Sequence, residues 1–143
     1  MLALGKTNIR EKEGIGMPAE VIEFFACKRG KAAVGEFEQK LKALRGKLVL
    51  VFFYAMWCGP CRRMLQEAKY LPYVIEEVDS RVVICKVDVD KDKLKNAGNI
   101  AIAGEYSVLA IPTTVFIKDM RHVHDITGAA EGGVILHNIK KYL

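Results

Sequence analysis

No apolar run in this 143-residue chain approaches the length of a membrane span, and the opening Met1-Leu2-Ala3-Leu4-Gly5-Lys6 lacks the continuous apolar stretch of a signal peptide. A soluble protein is therefore expected. It would be cytoplasmic if Met1 is the native start, or periplasmic or otherwise extracytoplasmic if a leader has been removed. Cysteine is scarce: four residues make no disulfide framework in a domain of this size, which fits a reducing compartment or one active dithiol with two buried thiols. The three histidines, His122, His124 and His137, find no third ligand at a sensible spacing, so no metal site is expected. A single-sign charge block is also missing. The net charge is +5, but Lys and Arg are interleaved with Glu and Asp, which reads as a solvated basic surface with no nucleic-acid patch. Gln and Asn are few beside many Lys, Glu, Val and Ile, a bias of heat-adapted proteins.

What is there is a dithiol. Trp57-Cys58-Gly59-Pro60-Cys61 follows an unbroken apolar run from Leu48 to Tyr54, and Met64, Leu65, Ala68 and Leu71 recur after it at helical spacing. The cysteines thus stand where a strand hands over to a helix. At a helix N-terminus, unpaired N–H groups and the positive end of the dipole favour a thiolate on the leading cysteine, Cys58. Cys61 lies one turn further in, close enough to displace a substrate bonded to Cys58 and close a short disulfide loop. Half of a zinc site is the competing reading, with Cys27, Cys85 or the histidines completing it. No second Cys-x-x-Cys or His-x-x-x-His exists, and the context favours redox chemistry. Cys85, in an apolar strand, and Cys27, on an amphipathic helix, read as small packing residues. Arg62 and Arg63 read as solvated, with charges that add to thiolate stabilisation.

Length and a 51% apolar content suit one domain with one core, and no linker divides the chain. Residues 1–16 carry no period and read as a mobile lead-in. Pro18 suits a helix start, Val21, Phe24 and Phe25 share a helical face and Gly30 is a natural stop, so the pattern predicts a helix over 18–29. A second follows over 34–45, with Val34, Phe37, Leu41 and Leu44 on one side. The run Leu48 to Tyr54 is apolar on both faces, as in a covered parallel sheet, and with the helix after Cys58 and a strand over Val82 to Val89 it forms a βαβ unit. Pro72 interrupts the helix after Cys58, and Val74, Ile75 and Val78 suggest a short further one. Beyond it, a helical piece is expected over Leu94 to Tyr106, then a hairpin of Thr114 to Ile117 with Val123 to Thr127, and a terminal helix carrying Val134, Ile135, Ile139 and Leu143.

With the Trp-Cys-Gly-Pro-Cys motif, Lys86-Val87-Asp88-Val89-Asp90, Ile111-Pro112-Thr113 and Gly128 in this order, the sequence resembles the thioredoxin superfamily over residues 34–143. The resemblance implies an α/β thioredoxin fold, a central mixed β-sheet flanked by helices, here with an N-terminal helical extension over residues 1–33. It implies that Cys58 attacks, Cys61 resolves and Pro112 is a cis-proline facing them. By the same resemblance Trp57, Gly59, Pro60, Ile111 and Pro112 contact substrate, with the Ile111 backbone pairing to an extended segment. The expected function is reduction of disulfide-containing protein substrates, with an upstream thiol reductant recharging the site and no cofactor beyond the Cys58–Cys61 disulfide. For thioredoxin itself the known references are a potential of about −270 mV and a nucleophile pKa of about 7.

The departures are specific. Phe52 stands where plain thioredoxins carry a buried acid, Tyr54 where they carry a second site tryptophan, and Gln66 where a proline kinks the long helix. Lys86 matches the lysine usually near that acid and is expected to lack its partner, so Cys61 must lose its proton to water or another group, with Asp88 and Asp90 next in view. Helices over 18–45 are expected in place of the usual first strand. With the added length after Cys61 and after Asp90, this resembles the reductase domains of membrane thiol:disulfide interchange proteins and implies a specialised partner. The alternative is a binding or adaptor module that keeps the fold and docks a partner at Pro112 with little redox turnover.

Overall fold

The computed structural model describes residues 16–143. The lead-in expected over residues 1–16 lies outside them except for Gly16. Five strands form one mixed sheet in the order β1-β3-β2-β4-β5: β1 Glu20–Glu23, β2 Leu48–Tyr54, β3 Val82–Asp88, β4 Thr113–Lys118 and β5 Arg121–Thr127. β1 and β2 both run parallel to β3, while β4 is antiparallel to β2 and β5 to β4. Helices α1 (Gly30–Ala43) and α4 (Ala97–Glu105) pack together, and α2 (Gly59–Gln66), α3 (Leu71–Glu77) and α5 (Gly132–Tyr142) complete the set.

Every residue of β2 is buried, because the alternating side chains feed two separate cores. Val49, Val51 and Phe53 pack with Phe37 and Leu41 of α1 and Ile102 of α4. Leu48, Leu50, Phe52 and Tyr54 pack with Cys61 and Met64 of α2, Val74 of α3 and Ile135 and Ile139 of α5. The sheet therefore carries the dithiol helix on one face only. The βαβ unit, the β4–β5 hairpin and the terminal helix stand where the pattern predicted them.

The N-terminal part differs from expectation. No helix occupies 18–29: Glu20–Glu23 is a strand, with Glu20 to Glu23 in register with Val83 to Lys86. The proposed helical face is split, since its Val21 and Phe25 are about two-fifths exposed while its Phe24 packs on the core together with Ile22. That is a period of two, and adjacent β-branched Val21 and Ile22 favour it. Gly30, expected to stop a helix, begins α1, and the boundary expected at 33/34 falls inside that helix. The link after β1 is held by Asn99 of α4, whose Oδ1 accepts the Ala26 N–H at 3.0 Å while its Nδ2 donates to the Asp88 carbonyl at 2.9 Å. Pro72 also has a different part from the one expected. The helix after Cys58 already ends at Gln66, and Pro72 sits in the first turn of α3, where its missing N–H costs nothing.

Candidate active site

Cys58 caps α2. Its backbone is extended, its sulfur accepts the Cys61 N–H at 3.2 Å, and Gly59 and Pro60 form the first turn behind it. Proline fits there for the same reason as in α3. Cys58 and Cys61 are joined as a disulfide with Cα atoms 5.2 Å apart. The two sulfurs have unequal access: Cys61 is fully buried, while Cys58 keeps a small exposed edge beside Trp57, which is 60% exposed. Only the leading cysteine can meet a macromolecular disulfide. Arg62 and Arg63 are both exposed, and Arg62 donates from Nη1 to the Met56 carbonyl at 2.7 Å, which braces the turn before the motif.

The loop entering β4 faces the dithiol. The Ile111–Pro112 bond is cis, and the Cys58 sulfur lies 3.9 Å from the Ile111 carbonyl oxygen. A disulfide sulfur has no proton, so this contact becomes a hydrogen bond only when Cys58 is a thiol. The Pro112 carbonyl accepts the Gly128 N–H at 2.7 Å, and Thr113 Oγ1 donates to the Ala110 carbonyl at 2.6 Å, which fixes the loop against β5 and on itself. Between this loop and α4 runs a groove of about 390 Å³ whose lining includes Trp57, Val89, Ile100, Val108, Leu109 and Ile111. Leu109 is 96% exposed at its rim. No motif marks this groove; its one signal in the sequence is Leu109, an apolar residue just before Ile111-Pro112.

Behind the dithiol, Phe52 is fully buried and stacks on Tyr54 with ring centroids 5.8 Å apart. Its neighbours in register are Lys86 on β3 and Thr114 on β4, whose buried hydroxyl has no hydrogen-bond partner among the described residues. Lys86 does have a carboxylate partner, contrary to expectation. Its Nζ lies 3.7 Å from Glu23 Oε1, because β1 places Glu23 directly beside it. The Tyr54 hydroxyl reaches across β3 and donates to the same carboxylate, 2.9 Å from each oxygen. Burial raises the Glu23 pKa above the ordinary carboxyl value, against the opposing pull of the Tyr54 hydrogen bond and the Lys86 charge. Tyr54 is raised too, first by burial and then by its hydrogen bond to Glu23. Glu23 was missed because its segment read as helix; as a strand, its pairing with Lys86 follows from register.

The remaining candidates are dispersed. Cys27 is exposed, while Cys85 is buried in the other core, its thiol pushed up to about 12 by burial. His122 bonds Asp125 at 3.0 Å, and His124 stacks on Tyr142 and meets Phe116 edge-on. Among the described residues no three His, Cys, Asp or Glu side chains gather to hold a metal, and no helix is long and apolar enough to cross a membrane. Asp88 and Asp90 are engaged in the turn after β3, where each accepts a backbone N–H two residues on and Asp88 pairs with Lys93.

The sequence and fold are similar to those of known proteins. The thioredoxin family pattern matches residues 29–141. Thioredoxin-1 of Drosophila melanogaster is 32% identical over 98 residues, covering 68% of this chain and 82% of its own length. Thioredoxin of Mycolicibacterium smegmatis is 35% identical over 97 residues, with 68% and 80% covered. The structure of reduced Schistosoma mansoni thioredoxin pre-protein superposes with a TM-score of 0.65 at 33% identity, covering 87% of this chain and 100% of that one. With a Cys-Gly-Pro-Cys disulfide capping a helix opposite a cis-proline on this fold, the chain belongs to the thioredoxin family and is a thioredoxin-like thiol-disulfide oxidoreductase.

Proposed function

We propose that this protein reduces protein disulfides through a mixed disulfide. The Cys58 thiolate attacks one substrate sulfur, the other substrate sulfur leaves as a thiol, and Cys61 then displaces the substrate from Cys58 as the Cys58–Cys61 bond closes. Two electrons pass from the dithiol to the substrate. An upstream thiol reductant restores the dithiol. The observation that carries the reading is the asymmetric pair: one cysteine capping α2 at the surface beside Trp57 and Ile111, its partner fully buried a turn below. The apolar groove beside Leu109 gives an extended substrate segment a place to lie, with the Ile111 backbone available for strand-like pairing. Reduction of insulin by dithiothreitol tests this: the protein accelerates it and Cys58→Ser abolishes the acceleration. Catalysis that survives that substitution contradicts the reading; a parent dithiol that fails to cycle, with tight partner capture by Cys61→Ser, favours a docking module.

A further inference from the structure

The positive charges that alternate with acids along the chain are sorted by the fold. Leu48 at the start of β2, Val82 at the start of β3, Lys118 at the end of β4 and Arg121 at the start of β5 are neighbours across the sheet, so these ends form one rim. The dithiol follows Tyr54 at the other end of β2. Two contacts gather further segments onto the rim. The Gly46 N–H donates to Asp119 Oδ1 at 2.9 Å, which ties the loop between α1 and β2 to the β4–β5 turn, and Lys118 Nζ donates to the Leu143 carbonyl at 3.5 Å, which brings in the end of α5. Lys42, Arg45, Lys47, Lys118, Arg121 and Lys141 thus share one pole of the molecule, and none of them forms an ion pair among the described residues. A helix C-terminus attracts cations, which explains Lys42 in the last turn of α1 and Lys141 in that of α5 but none of the others. Acids at this end stand to the β1 and α3 side: Glu20 begins β1, Glu77 borders a cavity with Lys140, and Asp79 is paired with Arg81. Asp119 lies within the basic group, its carboxylate accepting the Gly46 N–H. The dithiol end also has exposed cations, Arg62 and Arg63 among them, but there Glu23 and Asp88 offset Lys86 and Lys93.

We propose that this basic pole docks the protein on an anionic phospholipid surface, with the dithiol facing away from it. The cations come from α1 on one face of the sheet, from the rim itself and from α5 on the other face, so they span the end of the molecule as a broad surface. Four of the six are lysines. A compact ammonium on a flexible stem suits a diffuse array of headgroups, whereas fixed, paired recognition of a single phosphate favours arginine. Each such charge held near an anionic leaflet strengthens binding about fivefold. The attraction reaches only about one Debye length, roughly 8 Å at physiological ionic strength, so it must weaken with salt. Docked in this way, Cys58, Trp57 and Ile111 at the far end of β2 stay open to a substrate approaching from the aqueous side.

The test is cosedimentation of the whole chain with phosphatidylcholine vesicles containing about 30% phosphatidylserine. The protein should bind these and not pure phosphatidylcholine, and should lose most of its binding when salt is raised from about 0.1 M to about 0.5 M. Lys42→Gln, Arg45→Gln and Lys141→Gln together should weaken binding about a hundredfold, the product of three charges at about fivefold each. Lys28→Gln, Arg29→Gln and Lys31→Gln make the same change in net charge around the start of α1, at the dithiol end, and should leave binding within about threefold. Insulin reduction by both triple variants, and by the parent with vesicles present, should stay within about twofold. No binding to the phosphatidylserine vesicles overturns the proposal. So does equal weakening by the two triple variants, which would make the attraction one of net charge alone. Insulin reduction that collapses on the vesicles would put the dithiol end against the bilayer and equally overturns it. Poly-glutamate or a single-stranded oligonucleotide bound more tightly than the vesicles at matched charge would assign the pole to an acidic protein or a nucleic acid, and the lipid surface falls as its partner.

Discussion

Replacing Phe52 by Asp puts a carboxylate where the dithiol face has none and removes the ring that fills the space. Phe52 is fully buried, stacked on Tyr54 and packed in the same core as Cys61, Leu50 and Phe116. Truncating a buried phenylalanine costs about 3–5 kcal/mol. Burying an unpaired polar group adds roughly 1–3 kcal/mol. Lys86, the in-register neighbour on β3, offsets part of this second cost only by sharing its ammonium with Glu23. A net loss of about 4 kcal/mol is expected, which at a urea slope of about 2 kcal/mol per molar lowers the midpoint by roughly 2 M. The loss should also depend on pH. Burial raises the folded pKa of the new carboxyl above its unfolded value, so the variant is least impaired in acid and its deficit grows as pH rises through the folded pKa. Urea titrations of parent and variant from pH 4 to 8 measure both. A deficit below about 1 kcal/mol, or one that does not grow with pH, would refute the claim that Phe52 sits in a dry, fully packed place. In rapid mixing the same variant should release a mixed disulfide faster near neutral pH, because it supplies a base close to Cys61.

Two further expectations follow from residues away from the dithiol. Cys85 is buried with its thiol pushed from 9.0 up to about 12, so the folded form holds a proton that the unfolded form loses. Stability is complete below pH 9 and should fall as pH rises towards 12, by about 1.4 kcal/mol per unit at most from this group, and Cys85→Val should flatten that alkaline limb in pH-scanned melting curves. At the groove, Leu109→Glu places a charge on the apolar rim without disturbing the core, since the leucine is 96% exposed. Its kcat/KM for a protein disulfide should fall about tenfold, equivalent to losing one apolar anchor, while a small aromatic disulfide is reduced as before. Equal losses on both substrates would remove the groove from substrate binding.

The elements that were legible from residues alone share a physical cause. β2 is buried on both sides, so its seven residues form a continuous apolar run, and the motif that follows declares a strand-to-helix junction. The hairpin announces itself by its short turn, and the cis-proline followed from the resemblance of Ile111-Pro112-Thr113. β1 was not legible. It is four residues long and lies at the sheet edge, and its identity comes from pairing with β3 some sixty residues away, which no local pattern carries. Val21, Phe24 and Phe25 also happen to fit a helical face. The consequence reached the site, because reading β1 as helix hid the partner of Lys86 and with it the carboxylate bonded to Tyr54. The groove was hidden for another reason: its walls come from α4, the loop after it and Trp57, which only the fold brings together.

The Cys58–Cys61 pair acts, on the function proposed above, as the reducing dithiol of a thioredoxin-like reductase. Its reduction potential, measured by equilibrating the protein in glutathione and thioredoxin redox buffers and counting Cys58 and Cys61 thiols by mass, tests that most directly. A value close to the thioredoxin reference of about −270 mV is expected. A value of about −180 to −120 mV, where isomerases and oxidases lie, would contradict it.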